Sequence, residues 1–214
     1  MNATLKRREF ITLLGGAATA WPLAARAQQP KMPVVGFLNG GSPTELGSRV
    51  VALRDGLAEQ GYIEGHSVAI EYRWGLGQYE RLPELAVDLV RHRVAIIAAT
   101  GGVLSVRAAK AATSAIPIVF TMGADPVEFG LVASLNRPGS NVTGITLISA
   151  EIVPKRVALL RDLLPGAKML GVLMHSSSPA SEVEVAAAER VAHTLGWQVK
   201  VLRVGRELDF DAAF

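Results

Sequence analysis

The sequence predicts an α/β fold built on parallel sheets with helices over both faces. Three observations carry this reading. Short continuous apolar runs, such as Val34–Leu38 and Ile116–Phe120, have the length of strands whose two faces are both buried. Amphipathic stretches separate them; in the clearest, Leu82, Leu85, Ala86, Leu89 and Val90 follow the i, i+3, i+4, i+7, i+8 pattern of a helix. Clusters of Asn, Gly, Ser and Pro mark the joins. Strands alternating with helices form a parallel sheet, and in such a sheet the ligand crevice lies beyond the carboxyl ends of the strands.

Taken in order, Val34–Leu38 is the first strand, ending in the turn Asn39-Gly40-Gly41-Ser42-Pro43. A helix with Val50, Leu53 and Leu57 on one face follows and stops at Gly61. Val68–Trp74 alternates as a second strand. The helix beginning near Leu82 tolerates Pro83, which sits in its first turn. Val94–Ala99 is the third strand, closed by Thr100-Gly101-Gly102 and followed by an alanine-rich helix to Ala112. Ile116–Phe120 and Val142–Leu147 are the fourth and fifth strands. Beyond a boundary near Ser149–Pro154 come a helix over Pro154–Leu164, a strand over Met169–Met174, a helix over Ser181–Leu195 and a strand over Gln198–Val204. A further helix begins at Asp209–Phe214.

Ahead of the first strand, Lys6-Arg7-Arg8-Glu9-Phe10, the apolar stretch Ile11–Leu23 and Ala25-Arg26-Ala27 have the layout of a secretory leader: positive head, short apolar middle, small residues before the cut. The apolar middle, broken by Gly15, Gly16 and Pro22, is shorter than the roughly 20 residues of a membrane span. The paired arginines before Phe10 match a twin-arginine export signal, although Lys6 and Thr12 differ from its usual flanks and leave the ordinary secretory route open. Residues 1–27 are therefore expected to be removed after Ala27 and the rest delivered to the periplasm.

The 214-residue chain has 22 basic and 19 acidic residues. Lys6, Arg7, Arg8 and Arg26, against Glu9, account for the whole excess, so the chain after Ala27 is neutral. No basic run is left to neutralise a row of phosphates, which argues against nucleic-acid binding. Cysteine is absent, which excludes disulfides, thiolate metal sites, a cysteine nucleophile and a lipid-attachment cysteine. His66, His92, His175 and His193 lack metal-ligand spacing and fit surface or packing roles. Glu45, Glu71, Glu80 and Glu84 form no acid–base pair, and G-x-S-x-G, Walker and G-x-G-x-x-G motifs are missing. Asn141-Val142-Thr143 matches a glycosylation acceptor but reads as an ordinary turn. Neither a catalytic residue, a metal site nor a cofactor is expected.

The residues that follow each strand are the binding candidates. Asn39, Gly41 and Ser42 follow the first strand, where glycines let backbone amides approach a carboxylate; the same composition also suits a plain turn. Thr100, Gly101 and Gly102 open a helix whose N-terminus favours anions, or else simply cap it. Thr121 and Asp125 follow the fourth strand; Asp125 either pairs with a ligand ammonium or caps the segment starting at Pro126. Trp74 ends the second strand and either stacks on a ligand or packs over the strand–helix junction. Ser176 and Ser177 are the second lobe's counterpart, or part of a solvated Ser176–Ser178 loop.

Several segments together resemble a known family: Arg-Arg-Glu-Phe-Ile-Thr-Leu-Leu-Gly-Gly in the leader, Val-Gly-Phe-Leu-Asn-Gly-Gly-Ser-Pro, Glu-Tyr-Arg-Trp with Arg81-Leu82-Pro83, and Ala-Ala-Thr-Gly-Gly. Asp125-Pro126-Val127, the run Arg137–Gly144 and Leu163-Leu164-Pro165-Gly166-Ala167 complete the set. They resemble the substrate-binding proteins of ABC-type uptake systems, in the group related to tryptophan/tyrosine-type components. The resemblance implies the type I periplasmic-binding fold, two Rossmann-like lobes hinged over a small molecule. It implies a first lobe over residues 31–150 and a second over 151–214, incomplete because family members run on past this length. It further implies a monomer that hands an amino-acid-like or other small organic solute to an inner-membrane ABC permease, without chemistry. An α/β enzyme lacking recognisable motifs and a non-functional fragment are the competing readings.

Overall fold

The computed structural model describes residues 32–205. The leader and cleavage site expected over residues 1–27 and the helix expected at Asp209–Phe214 lie outside the described residues. From Val34 onward the chain is one unit. Its strands are β1 (Val34–Asn39), β2 (Ala69–Trp74), β3 (Ile96–Thr100), β4 (Ile118–Met122), β5 (Val142–Thr146), β6 (Met169–His175) and β7 (Gln198–Val204). Its α-helices are α1 (Pro43–Glu59), α2 (Leu82–Arg91), α3 (Val103–Ala112), α4 (Val153–Leu163) and α5 (Pro179–Thr194). Short 3-10 turns at Tyr79–Arg81 and Ser149–Ile152 lead into α2 and α4.

β1 to β5 form one all-parallel sheet in the order β2-β1-β3-β4-β5, and β6 pairs with β7, also in parallel, as a second sheet. The chain runs outward from β1 to β2 on one side and from β3 to β5 on the other. The order therefore reverses between β1 and β3, the switch point at which doubly wound sheets bind ligands.

The strand limits follow from local chemistry. β4 starts at Ile118 rather than Ile116 because Pro117 has no N–H to give; its carbonyl accepts from Ile97 N at 2.9 Å, while Asn141 Nδ2 donates to Ile116 O at 2.7 Å. β3 starts at Ile96, not Val94, and runs one residue further than expected, to Thr100. α1 opens on a reciprocal cap: Ser42 Oγ accepts from Glu45 N, and Glu45 Oε2 accepts from Ser42 N. α5 opens on a one-way cap, Ser178 Oγ accepting from Ser181 N.

The larger core lies on one face of the first sheet. Leu38, Ala99 and Phe120 share a register row there, as do Ile97, Ile118 and Val142. They pack against Leu82, Ala86 and Leu89 of α2 and Val106 and Ala109 of α3. Arg73 on the same face ties β2 to α2 through Asp88, at 2.6 Å. The opposite face carries Phe37, Tyr72 and Trp74 in mutual contact. α1 reaches this side through Arg54, which donates to the Tyr72 hydroxyl at 3.1 Å. Cover on both faces was expected, but this second face is covered only in part: no residue of α1 is fully buried, and Val119 and Ile145 are 38% and 68% exposed. α1 has too few large apolar residues to seal it; its stripe of Val50, Leu53 and Leu57 is interrupted by Arg49, Arg54 and Asp55. A smaller core of Val153, Val157, Ala187 and Ala188 joins α4 and α5 to the β6–β7 sheet.

Candidate solute site

The carboxyl edge of the first sheet places four of the candidate residues in one register row. Trp74 pairs with Asn39, Asn39 with Thr100, and Thr100 with Thr121. In-register residues of parallel strands share a face, so the four side chains line one side of the edge. The row crosses the switch point at Asn39 and Thr100.

Asn39 is buried and committed at both ends of its amide. Nδ2 donates to Thr100 Oγ1 at 2.7 Å, and Oδ1 accepts from Gly41 N at 2.7 Å. One side chain thus fixes the turn after β1 and the end of β3. Gly101 (φ +89°) and Gly102 (φ +108°) then carry the chain into α3 through a conformation that L side chains rarely adopt. A Cβ on Gly101 would stand 2.8 Å from both Asn39 amide atoms, so glycine is needed there for space as well as for backbone angle. No side chain caps α3, whose positive end opens beside Thr100. Within its first turn the fully buried Ser105 hydroxyl has no hydrogen-bond partner among the described residues. Sequence reading passed over Ser105, whose setting in Val-Leu-Ser-Val offers no sign of a polar role.

The remaining candidates divide. Trp74 is half-buried against Phe37, with ring centroids 5.0 Å apart, so a packing role is met while part of the ring stays open. Thr121 is exposed at the end of the row. Ser42 serves as the α1 cap. Asp125 Oδ1 accepts from Val127 N at 2.8 Å, the turn-capping alternative. Asp125 also borders a hollow of about 20 Å³ with Glu128, Ile148, Ala180 and Glu184, which is room for a water and no solute. Ser176 and Ser177 are both exposed; Ser176 N extends the sheet pairing to Val204 O, and Ser177 N donates to His175 Nδ1 at 3.2 Å.

Two further residues meet at the carboxyl edge. The Tyr79 ring lies against Gly40, where a Cβ would come within 2.5 Å of it. His175, the last residue of β6, meets Tyr79 edge-on with centroids 5.3 Å apart. The Tyr79 phenol is pushed above its ordinary range, first by burial and then by the Glu45 carboxylate, so it is a neutral donor at physiological pH. Sequence reading could not bring these two together, since their contact joins distant segments and neither carries a motif. Among the described residues no group of acidic, histidine or cysteine side chains is placed to hold a metal, and no helix is long and apolar enough to cross a membrane.

Comparison with known proteins agrees with this architecture. A tyrosine-binding protein of Clostridioides difficile (strain R20291) is 33% identical over 129 residues, covering 60% of this chain and 36% of that protein. The crystal structure of a conserved domain protein from Vibrio cholerae superposes with a TM-score of 0.78 at 27% identity, over 86% of this chain and 61% of that one. An ABC domain from Streptococcus pneumonia in complex with L-Trp superposes with a TM-score of 0.73 at 24% identity, over 85% of this chain and 60% of that one; this likeness concerns the fold. The chain therefore spans between about a third and three fifths of these relatives. The family described as ABC transporter substrate binding protein matches residues 31–214. With most of its length matched, the chain belongs to the ABC transporter substrate binding protein family.

Proposed function

We propose that the protein captures a small organic solute for an ABC-type importer and carries out no reaction on it. The observation that carries this reading is the row Trp74–Asn39–Thr100–Thr121 at the switch point, with the uncapped N-terminus of α3 beside it. The Thr100 hydroxyl, held by Asn39, and the exposed Thr121 hydroxyl on rigid strand ends recognise a solute, and the α3 N-terminus favours a carboxylate on it. The site lacks the paired acid and base or the activated nucleophile that a reaction would need. The L-Trp complex of the pneumococcal neighbour and the name of the clostridial relative support an amino acid as the solute class. Residues 31–150 would form the first lobe and 151–214 part of the second, closing as a monomer and then docking on an inner-membrane permease. Export through a twin-arginine leader cut after Ala27 would place the protein in the periplasm.

Calorimetric titration of the purified protein with L-tryptophan, L-tyrosine, L-leucine and benzoate tests the reading. Saturable binding of at least one is expected, with Thr100→Val weakening it tenfold or more. Silence toward every member of the panel would refute it. N-terminal sequencing of the periplasmic product, expected to begin at Gln28, tests the leader.

A further inference from the structure

We propose that Tyr79 and His175 are specificity-determining residues of the solute site, admitting a planar ring and giving it a hydroxyl and an imidazole N–H to bond. The inference rests on the solute-binding reading above and adds the part of the site contributed by the second sheet. Tyr79 projects from the 3-10 turn after β2; its ring packs on the larger core and lies against Gly40, the residue after Asn39, at the carboxyl edge of the sheet. His175 ends β6, so the carboxyl edge of the second sheet meets that of the first through these two rings, at an interplanar angle of 70°.

Both side chains keep capacity that the fold does not use. The Tyr79 hydroxyl makes no hydrogen bond among the described residues, although half-buried tyrosines normally find a partner. His175 Nδ1 accepts from Ser177 N, which leaves Nε2 as the protonated nitrogen of the neutral ring. An edge-to-face pair presents one ring face and one ring edge, the two surfaces a third aromatic ring packs against. Ser176 and Ser177 are exposed and make only backbone bonds, so they add no comparable recognition.

The test is a titration of L-tryptophan and L-leucine into wild-type protein and into Tyr79→Phe, Tyr79→Leu, His175→Leu and Thr100→Val, with melting temperatures taken alongside. The wild type should take L-tryptophan. Tyr79→Phe, which keeps the ring and the fold, should weaken it about threefold to tenfold through the lost hydroxyl. Tyr79→Leu and His175→Leu should weaken L-tryptophan at least tenfold while changing L-leucine no more than twofold. A purely structural role would weaken both solutes alike, and that result overturns the inference. It is also overturned, with the solute-binding reading intact, if Thr100→Val weakens binding and the three ring variants do not. A wild type that takes neither solute, or L-leucine alone, overturns it as well.

Discussion

Asn39 shows how far a single side chain can organise a sheet edge. Its amide bridges Gly41 and Thr100 and occupies the space a Cβ on Gly101 would need. Asn39→Ala should therefore cost about 2 kcal/mol by leaving buried polar groups unpaired, read as a shift in the urea midpoint at constant slope. Gly101→Ala should cost about 1–3 kcal/mol from its positive φ and the approach to Asn39. Asp88 supplies a pH test. The hydrogen bond from Arg73, reinforced by the charges of Arg73, His92 and Arg91, holds its carboxyl below the usual carboxylate range. A carboxyl depressed by folding adds stability that is fully present above the unfolded value, about pH 4, and is lost as acid titrates the folded group below it. Asp88→Asn should flatten that acid limb and leave the curve above pH 5 parallel to wild type. At this scale Asn39, Thr100 and Trp74 were legible as candidates because each ends or directly follows a strand readable in the sequence. Tyr79 and His175 were not, because only the tertiary contact singles them out.

Elements differ in how clearly the sequence announces them. The stripe of α2 buries Leu82, Ala86 and Leu89, as its spacing requires, and Leu89→Ala should cost about 2–5 kcal/mol in denaturant unfolding. α1 has equally clear ends, set by the Ser42–Glu45 cap and by Gly61, yet its Val50, Leu53 and Leu57 are only half-buried. Helix ends are written in local capping chemistry, whereas depth of burial depends on what the rest of the fold lays against the stripe. Strand limits moved for a comparable reason: Pro117 interrupts the apolar run that begins at Ile116, and hydrogen bonding, not hydropathy, decides where β4 begins.

At the scale of the whole molecule, a well-packed five-stranded sheet coexists with a lighter two-stranded one. The second core leaves an open groove between α4, β6 and α5, bordered by Val157, Leu170, Val172 and Val185. Leu163, Leu164 and Met169 nearby are more than half exposed. The parallel topology, and with it the alignment of candidate residues along the carboxyl edge, was legible from strand–helix alternation, because that alternation allows few other arrangements. Exposure on the β4–β5 face was not, since apolar strand residues look the same whether a helix covers them or not. Ile145→Thr should accordingly shift unfolding by no more than about 0.5 kcal/mol, in contrast to any change at Ile118 on the packed face.

Tryptophan occurs twice among the described residues, and the fold puts the two indoles in different settings. Trp74 stands on the rim of the polar row against Phe37, while Trp197 packs on the small core of the second sheet. The described residues thus hold two indole fluorophores, one placed to report on the candidate row and one on the integrity of the lighter sheet. Emission from Trp74→Phe and Trp197→Phe variants would separate solute capture from local loosening without an attached dye.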